Sequence, residues 1–214
     1  MLGISPGNLV AFIVAAVIVV VIPGPSVLFV VSRALASGRR VAVLSVLGNA
    51  VGEYVQVVAV AFGIGAVAER SVAVFTVMKL AGGIYLVYLG IKTFRERRSM
   101  PSALEALARP TSDRRSFRQG ALVGVSNPKT VVFMAAILPQ FVTPAAGDVP
   151  GQILLLGLVF AVLAVILDTT WVMAAGTFRR WFARSPQRLE IIGGTGGLAI
   201  AALGAGLLAT GRRP

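Results

Sequence analysis

Long apolar stretches alternate along this chain with short basic connections, and the first stretch runs from Leu9 to Val31 without a charged residue. At about 1.5 Å per residue a helix over that stretch reaches roughly 35 Å, more than the hydrocarbon core of a bilayer at about 30 Å. Inside it stand Pro23, Gly24 and Pro25. Prolines remove backbone donors and glycine loosens the turn between them, so this helix is predicted to break while still in lipid. Freed backbone groups are tolerated at that depth only where protein or a water-filled cavity covers them, and interrupted spans are where secondary carriers bind their cargo.

Five further apolar windows follow at Val41–Ala68, Val72–Ile91, Ala121–Val142, Ile153–Phe178 and Ile191–Thr210, which predicts an all-α bundle of six membrane-spanning helices. The cations sort to alternate connections. Arg33, Arg39 and Arg40 follow the first span. Lys92, Arg95, Arg97, Arg98, Arg109, Arg114, Arg115 and Arg118 follow the third, and Arg179, Arg180, Arg184 and Arg188 follow the fifth. Only Arg70, Arg212 and Arg213 fall on the other side, so the positive-inside rule places the basic connections in the cytoplasm and both termini outside.

The polar segment Arg95–Gln119 reads as a cytoplasmic linker within one integral membrane domain, dividing a first repeat, residues 1–94, from a second, residues 120–214. Three spans in each half invert the second relative to the first, an arrangement suited to alternating access. Spacing agrees: Pro23 precedes Glu53 much as Pro139 precedes Asp168, and Gly82–Gly83 is echoed by Gly193–Gly194.

Composition narrows the chemistry. The 214 residues are 57% hydrophobic and 13% charged, with a mean hydropathy of +0.87, as in multi-pass membrane proteins. A net charge of +12 would suit nucleic acid if the cations shared one soluble face, but they lie between apolar segments. The chain has no cysteine and no histidine, which removes disulfides, soft metal sites and histidine-activated nucleophiles and leaves carboxylate, amine and amide chemistry. No cofactor is expected. No basic region precedes the first apolar run, so that run is expected to be kept as a span rather than cleaved.

Four ionisable side chains fall inside the predicted spans: Glu53, Lys79, Lys129 and Asp168. A charged group facing lipid costs on the order of 2.5–3.5 kcal/mol at the helix centre, so these are expected to face inward, either as bundle-holding pairs or along a transport path. Asn49, Glu53 and Gln56 share one face of the second span with Ser45 nearby, and Glu53 is the leading candidate for carrying a proton. Gly48 and Gly52 beside that wall suit close helix packing. Asn127-Pro128-Lys129 predicts a second helix break, in the fourth span, with Lys129 placed either to receive a carboxylate or to reach back to the interface. Asp168 is either a second working carboxyl or a group that snorkels or pairs with Lys129 or Lys79. Pro139 and Gln140 are read as a helix end, and the stripe Gly193, Gly197, Ala201, Gly204 as packing.

Pro23-Gly24-Pro25, Ser32-Arg33-Ala34-Leu35, Gly38-Arg39-Arg40, Leu47-Gly48 through Gly52-Glu53, Lys79 to Tyr88-Leu89-Gly90, and Asn127-Pro128-Lys129 to Leu138-Pro139-Gln140-Phe141 together resemble the LysE/RhtB family of amino-acid exporters. The resemblance implies a bacterial inner-membrane carrier that exports amino acids or close derivatives on the proton gradient. One departure is visible: the family pattern has Asp where this chain has Glu53. The site expected on this basis comprises Pro23, Gly24, Pro25, Asn49, Glu53, Gln56, Asn127, Pro128, Lys129 and Asp168. A zwitterion would set its carboxylate at a half-helix N-terminus or Lys129 and its ammonium near Glu53 or Asn49. Expected partners are the amino acid, protons and the bilayer, with homo-oligomerisation open. A cation exporter is the alternative reading, and an intramembrane dyad of Glu53 and Asp168 the enzymatic one.

Overall fold

A computed structural model describes residues 3–64, 72–99, 102, 111–177 and 186–209, and among them there is no β-strand. The helices are α1 (Pro6–Val21), α2 (Pro25–Ser37), α3 (Arg39–Ala59), α4 (Val72–Arg95), α5 (Asp113–Ser126), α6 (Pro128–Val132), α7 (Val149–Thr177) and α8 (Pro186–Ala209). A π turn, Val60–Ile64, extends α3, and α6 continues through a π turn, Phe133–Ile137, into a 3-10 turn, Leu138–Phe141.

These elements form six helical units in the order the hydropathy predicts, with the first and fourth broken. The α1–α2 pair bends by 53° and the α5–α6 pair, followed to Phe141, by 44°. Both α2 and α6 restart with a proline in the first turn, where its missing N–H costs nothing and its φ suits a helix. The α3 unit and α7 are each long and apolar enough to cross a bilayer, and so is each bent pair taken as one span. The remaining two units, α4 and α8, are helices of 24 residues that pack along one another. The protein is thus a polytopic helical bundle. The span ends expected at Ala68, Phe178 and Thr210, and Arg70, Arg109, Arg179, Arg180, Arg184, Arg212 and Arg213, lie outside the described residues. Of the polar segment 95–119, Glu96–Ser99 forms a 3-10 turn and residues from Asp113 onward belong to α5.

Bare backbone sets the closest approaches. Gly48 and Gly52 of α3 face α5 so tightly that a Cβ would run into the carbonyls of Phe117 and Ala121, while Gly120 and Gly124 of α5 meet the backbone of Ser45 and Asn49. The glycine stripe of α8 packs as read: Gly197 lies against the Gly90 carbonyl of α4 and Gly204 against that of Gly83. Contacts between helices of this kind depend on small residues because lipid supplies no hydrophobic drive for association.

The pairing of units is orderly. The second packs on the fourth and the fifth on the first, while the third pairs with the sixth and the second with the fifth. Exchanging the two halves of the chain preserves that pattern. The breaks do not match the proline spacing read from sequence, however. The fourth unit breaks at Asn127, whereas Pro139 opens the terminal 3-10 turn, where its missing N–H deprives the Ala135 carbonyl of an α-helical donor. Phe12 of α1, Phe133 of the π turn after α6 and Phe160 of α7 are fully buried against one another, with ring centroids 5.9 Å apart for Phe12–Phe133 and 5.2 Å for Phe133–Phe160. Outward-facing Val10, Val14, Val51, Val55, Ile84, Val162 and Ile166 are exposed, as side chains bathed in lipid would be.

Candidate functional site

Each helix break deprives a carbonyl of its α-helical donor, and in each case a side chain from another unit donates to that carbonyl. In an unbroken helix the Val19 carbonyl would accept from residue 23, but Pro23 has no N–H. The Lys129 ammonium donates to the Val19 carbonyl at 2.8 Å and to that of Ile22 at 2.9 Å. In the fourth unit Pro128 cannot give the Gly124 carbonyl its α-helical donor; that carbonyl accepts from the Asn127 N–H at 3.4 Å and from the Gln56 amide at 2.7 Å, and the same amide donates to the Val125 carbonyl at 3.1 Å. Asn127 joins the two breaks directly. Its Oδ1 caps the Lys129 N–H at 3.1 Å, and its Nδ2 donates to the Ser26 hydroxyl at 2.6 Å, just past the first break.

Around this junction sit the two acids. Glu53, Lys129 and Asp168 are each only 3% exposed, so none reaches lipid or an aqueous interface. The snorkelling alternatives for Lys129 and Asp168 are therefore set aside. Asn49 stands between the carboxyls: its Nδ2 donates to Asp168 Oδ2 at 3.4 Å, and Glu53 lies within its hydrogen-bonding reach. With an amide between them, the acids do not form the shared-proton pair that an acid dyad needs. Lys129 is close enough to both carboxyls to interact through space, yet its direct contacts are the carbonyls of the broken helix and it closes no ion pair. Lys79 is half-buried on α4 and makes no hydrogen bond to this cluster.

The same face of α3 carries three buried oxygens with no donor: Asn49 Oδ1, Glu53 Oε2 and Gln56 Oε1. Buried acceptors are nearly always satisfied, so these three, on successive turns of one helix, are open to a donor that the described side chains do not supply. Ser45 is different. Its hydroxyl meets that of Ser116 at 2.5 Å and fastens α3 to α5. Among the described residues, no three His, Cys, Asp or Glu side chains gather as a metal site.

A cavity of about 220 Å³ opens beside the junction, walled by Pro23, Gly24 and Pro25 of the first break and Pro128 of the second. Lys92 and Glu96 reach its other wall with an ammonium–carboxylate separation of 4.0 Å, and Leu28 and Leu89 supply apolar surface. Gly24 is the partition between this cavity and the buried cation, since a Cβ there would lie 3.3 Å from the Lys129 ammonium. Of the residues expected in one site, Pro23, Gly24, Pro25 and Pro128 line the cavity, Asn127, Lys129 and Gln56 bind the two breaks, and Asn49, Glu53 and Asp168 lie buried beside Lys129. The sequence reading missed Ser26, Lys92 and Glu96. Ser26 was visible as the first polar side chain after the break; Lys92 and Glu96 were read only as part of the basic connection.

Comparison with known proteins agrees with this architecture. The chain matches the family model described as LysE type translocator over residues 17–211. It is 30% identical over 202 residues to the homoserine/homoserine lactone efflux protein of Salmonella typhimurium, covering 94% of this chain and 96% of that protein. It is also 32% identical to the uncharacterized membrane protein YrhP of Bacillus subtilis, covering 83% and 88%. An uncharacterized membrane protein of Vibrio cholerae is 31% identical, covering 83% and 84%. No solved structure matches.

Proposed function

The chain belongs to the LysE type translocator family, and from that premise we propose that it exports small amino acids or their close derivatives from the bacterial cytoplasm, coupled to proton entry. It is a multi-pass membrane transporter and not an enzyme. The similarity to a homoserine/homoserine lactone efflux protein supports the substrate class, and the three buried acceptor oxygens, one of them on Glu53, with Asp168 beside them support the mechanism. That acceptor face is the observation that carries the reading.

In the proposed cycle the substrate enters through the cavity beside the two breaks. Its carboxylate takes the positive N-terminal end of α2, where Gly24 leaves the backbone bare, and its ammonium donates to the free oxygens of Asn49, Glu53 and Gln56. Protonation of Glu53 removes the negative charge that holds the ammonium and releases the substrate outward. A proton moving inward down about 100 mV supplies roughly 2.3 kcal/mol, enough for export against more than a tenfold gradient.

The test is flux into proteoliposomes preloaded with unlabelled substrate. Radiolabelled homoserine, threonine and lysine and a divalent cation are compared under an imposed pH gradient. Saturable, gradient-driven flux of an amino acid is expected, with none of the cation. Cation flux without amino-acid flux would refute the proposal.

A further inference from the structure

A site unrelated to the helix breaks lies at the basic end of the bundle, where α3 and α5 begin and α7 ends. An open groove of about 660 Å³ runs there, with Arg39, Arg40 and Arg114 at its mouth and Val43, Leu44 and Phe117 inside. Arg40 pairs with Asp113 at 2.9 Å, and among the described residues that line the groove there are three guanidiniums and one carboxylate, so that lining is net positive. Both α3 and α5 start at this mouth, and neither start has a side-chain cap, which adds the positive ends of two helix dipoles.

The apolar floor does not stop one turn in. Met173 of α7 also lines the first groove, and a second groove, of about 440 Å³, lies further along α3 and α7, from Leu47 and Val51 to Val58 of α3, with Leu158 of α7 opposite. From Leu44 to Val58 the helix rises about 21 Å at about 1.5 Å per residue. One leaflet of hydrocarbon is about 15 Å deep, half of a core of about 30 Å. Set end to end along α3 and α7, the two grooves span the depth of a leaflet, apolar from Leu44 to Val58 and cationic at the head.

We propose that this pair of grooves is a specific site for one anionic phospholipid, with the phosphate seated among Arg39, Arg40 and Arg114 and an acyl chain laid along α3. Apolar surface alone would accept any lipid. The guanidiniums make the difference, because their planar forks match phosphate oxygens bidentately, and basic pockets between spans are where anionic headgroups are held. A zwitterionic headgroup brings the same phosphate with a compensating ammonium, and so gains less from a mouth of net positive charge.

Native mass spectrometry and thermal melting of the purified chain in neutral detergent test this. Phosphatidylglycerol, phosphatidylcholine with the same acyl chains and inorganic phosphate are titrated separately. One tightly retained phosphatidylglycerol and a raised midpoint are expected, with neither effect from the other two. Replacing two cations in Arg39→Gln/Arg114→Gln should weaken phosphatidylglycerol binding about tenfold or more. Arg114→Gln alone, at an exposed position that leaves the Arg40–Asp113 pair intact, should weaken it in the same direction. Arg95→Gln, which removes an exposed cation from the same end of the bundle on α4, should leave it unchanged. Equal retention of phosphatidylcholine, a midpoint shift reproduced by inorganic phosphate, or an equal loss in Arg95→Gln would overturn the proposal.

Discussion

Lys129 is the side chain on which most of the site depends, because one ammonium substitutes for the donor that Pro23 lacks and places a positive charge near Glu53 and Asp168. Removing it leaves two buried carbonyls unpaired at about 1–3 kcal/mol each. Lys129→Met is therefore expected to lower the melting midpoint in detergent as well as abolish transport; an unchanged midpoint would mean the carbonyls find other donors and the side chain does not brace the break. Sequence located this residue but left its role open, since a lysine two residues into a proline-started helix fits an interface cation as well as a buried one. What decides between them is the distance to Val19 and Ile22, residues more than a hundred positions away, which no local pattern contains. Gln56 shows the same limit. It was legible as part of a polar face on α3, while its service to the Gly124 carbonyl follows from the packing of α3 on α5.

At the scale of elements, the two breaks act as a matched pair: each has a proline that deletes a donor, and each is repaired by a side chain from another unit. Restoring the donor tests this pairing. Pro23→Ala supplies an N–H for the Val19 carbonyl in competition with Lys129, so α1 should run on and part of the 53° bend should be lost. Transport is expected to fall at least tenfold with no loss of thermal stability, read by flux and melting on the same preparation; full activity would show that the break is not needed. Helix existence, order and the identity of the broken units were readable from hydropathy and from Pro-Gly-Pro and Asn-Pro-Lys, because donor loss at proline is a local effect. The register between the halves was not. Matching Pro139 to Pro23 relied on spacing alone, and Pro139 lies instead in the turn that ends its unit, where Gln140 reaches back to the Ala136 carbonyl at 2.6 Å. Close packing at Gly48 and Gly52 was legible as small residues beside the polar wall, while the partner backbone of α5, with its own Gly120 and Gly124, emerged only from the fold.

For the molecule as a whole, the basic end carries the proposed orientation, which can be checked directly. The chain has no cysteine, so single introduced cysteines report without background. On the proposed topology, Ser99→Cys should be shielded from a membrane-impermeant maleimide in intact cells and Ala145→Cys labelled; the reverse pattern would invert the carrier. The proposed orientation rests on charge alone, because the cations follow every second span, whereas the convergence of α1, α3, α6 and α7 on one buried cluster required the fold.

The central proposal is that Glu53 exchanges a proton for substrate at this cluster, and substrate-driven proton movement is its most direct measurement. Proteoliposomes holding a pH-sensitive dye are challenged with homoserine in the absence of any other gradient. The wild-type chain is predicted to give a saturable pH change, and Glu53→Gln, with an unaltered melting midpoint, to give none. An undiminished pH change in Glu53→Gln would contradict the account.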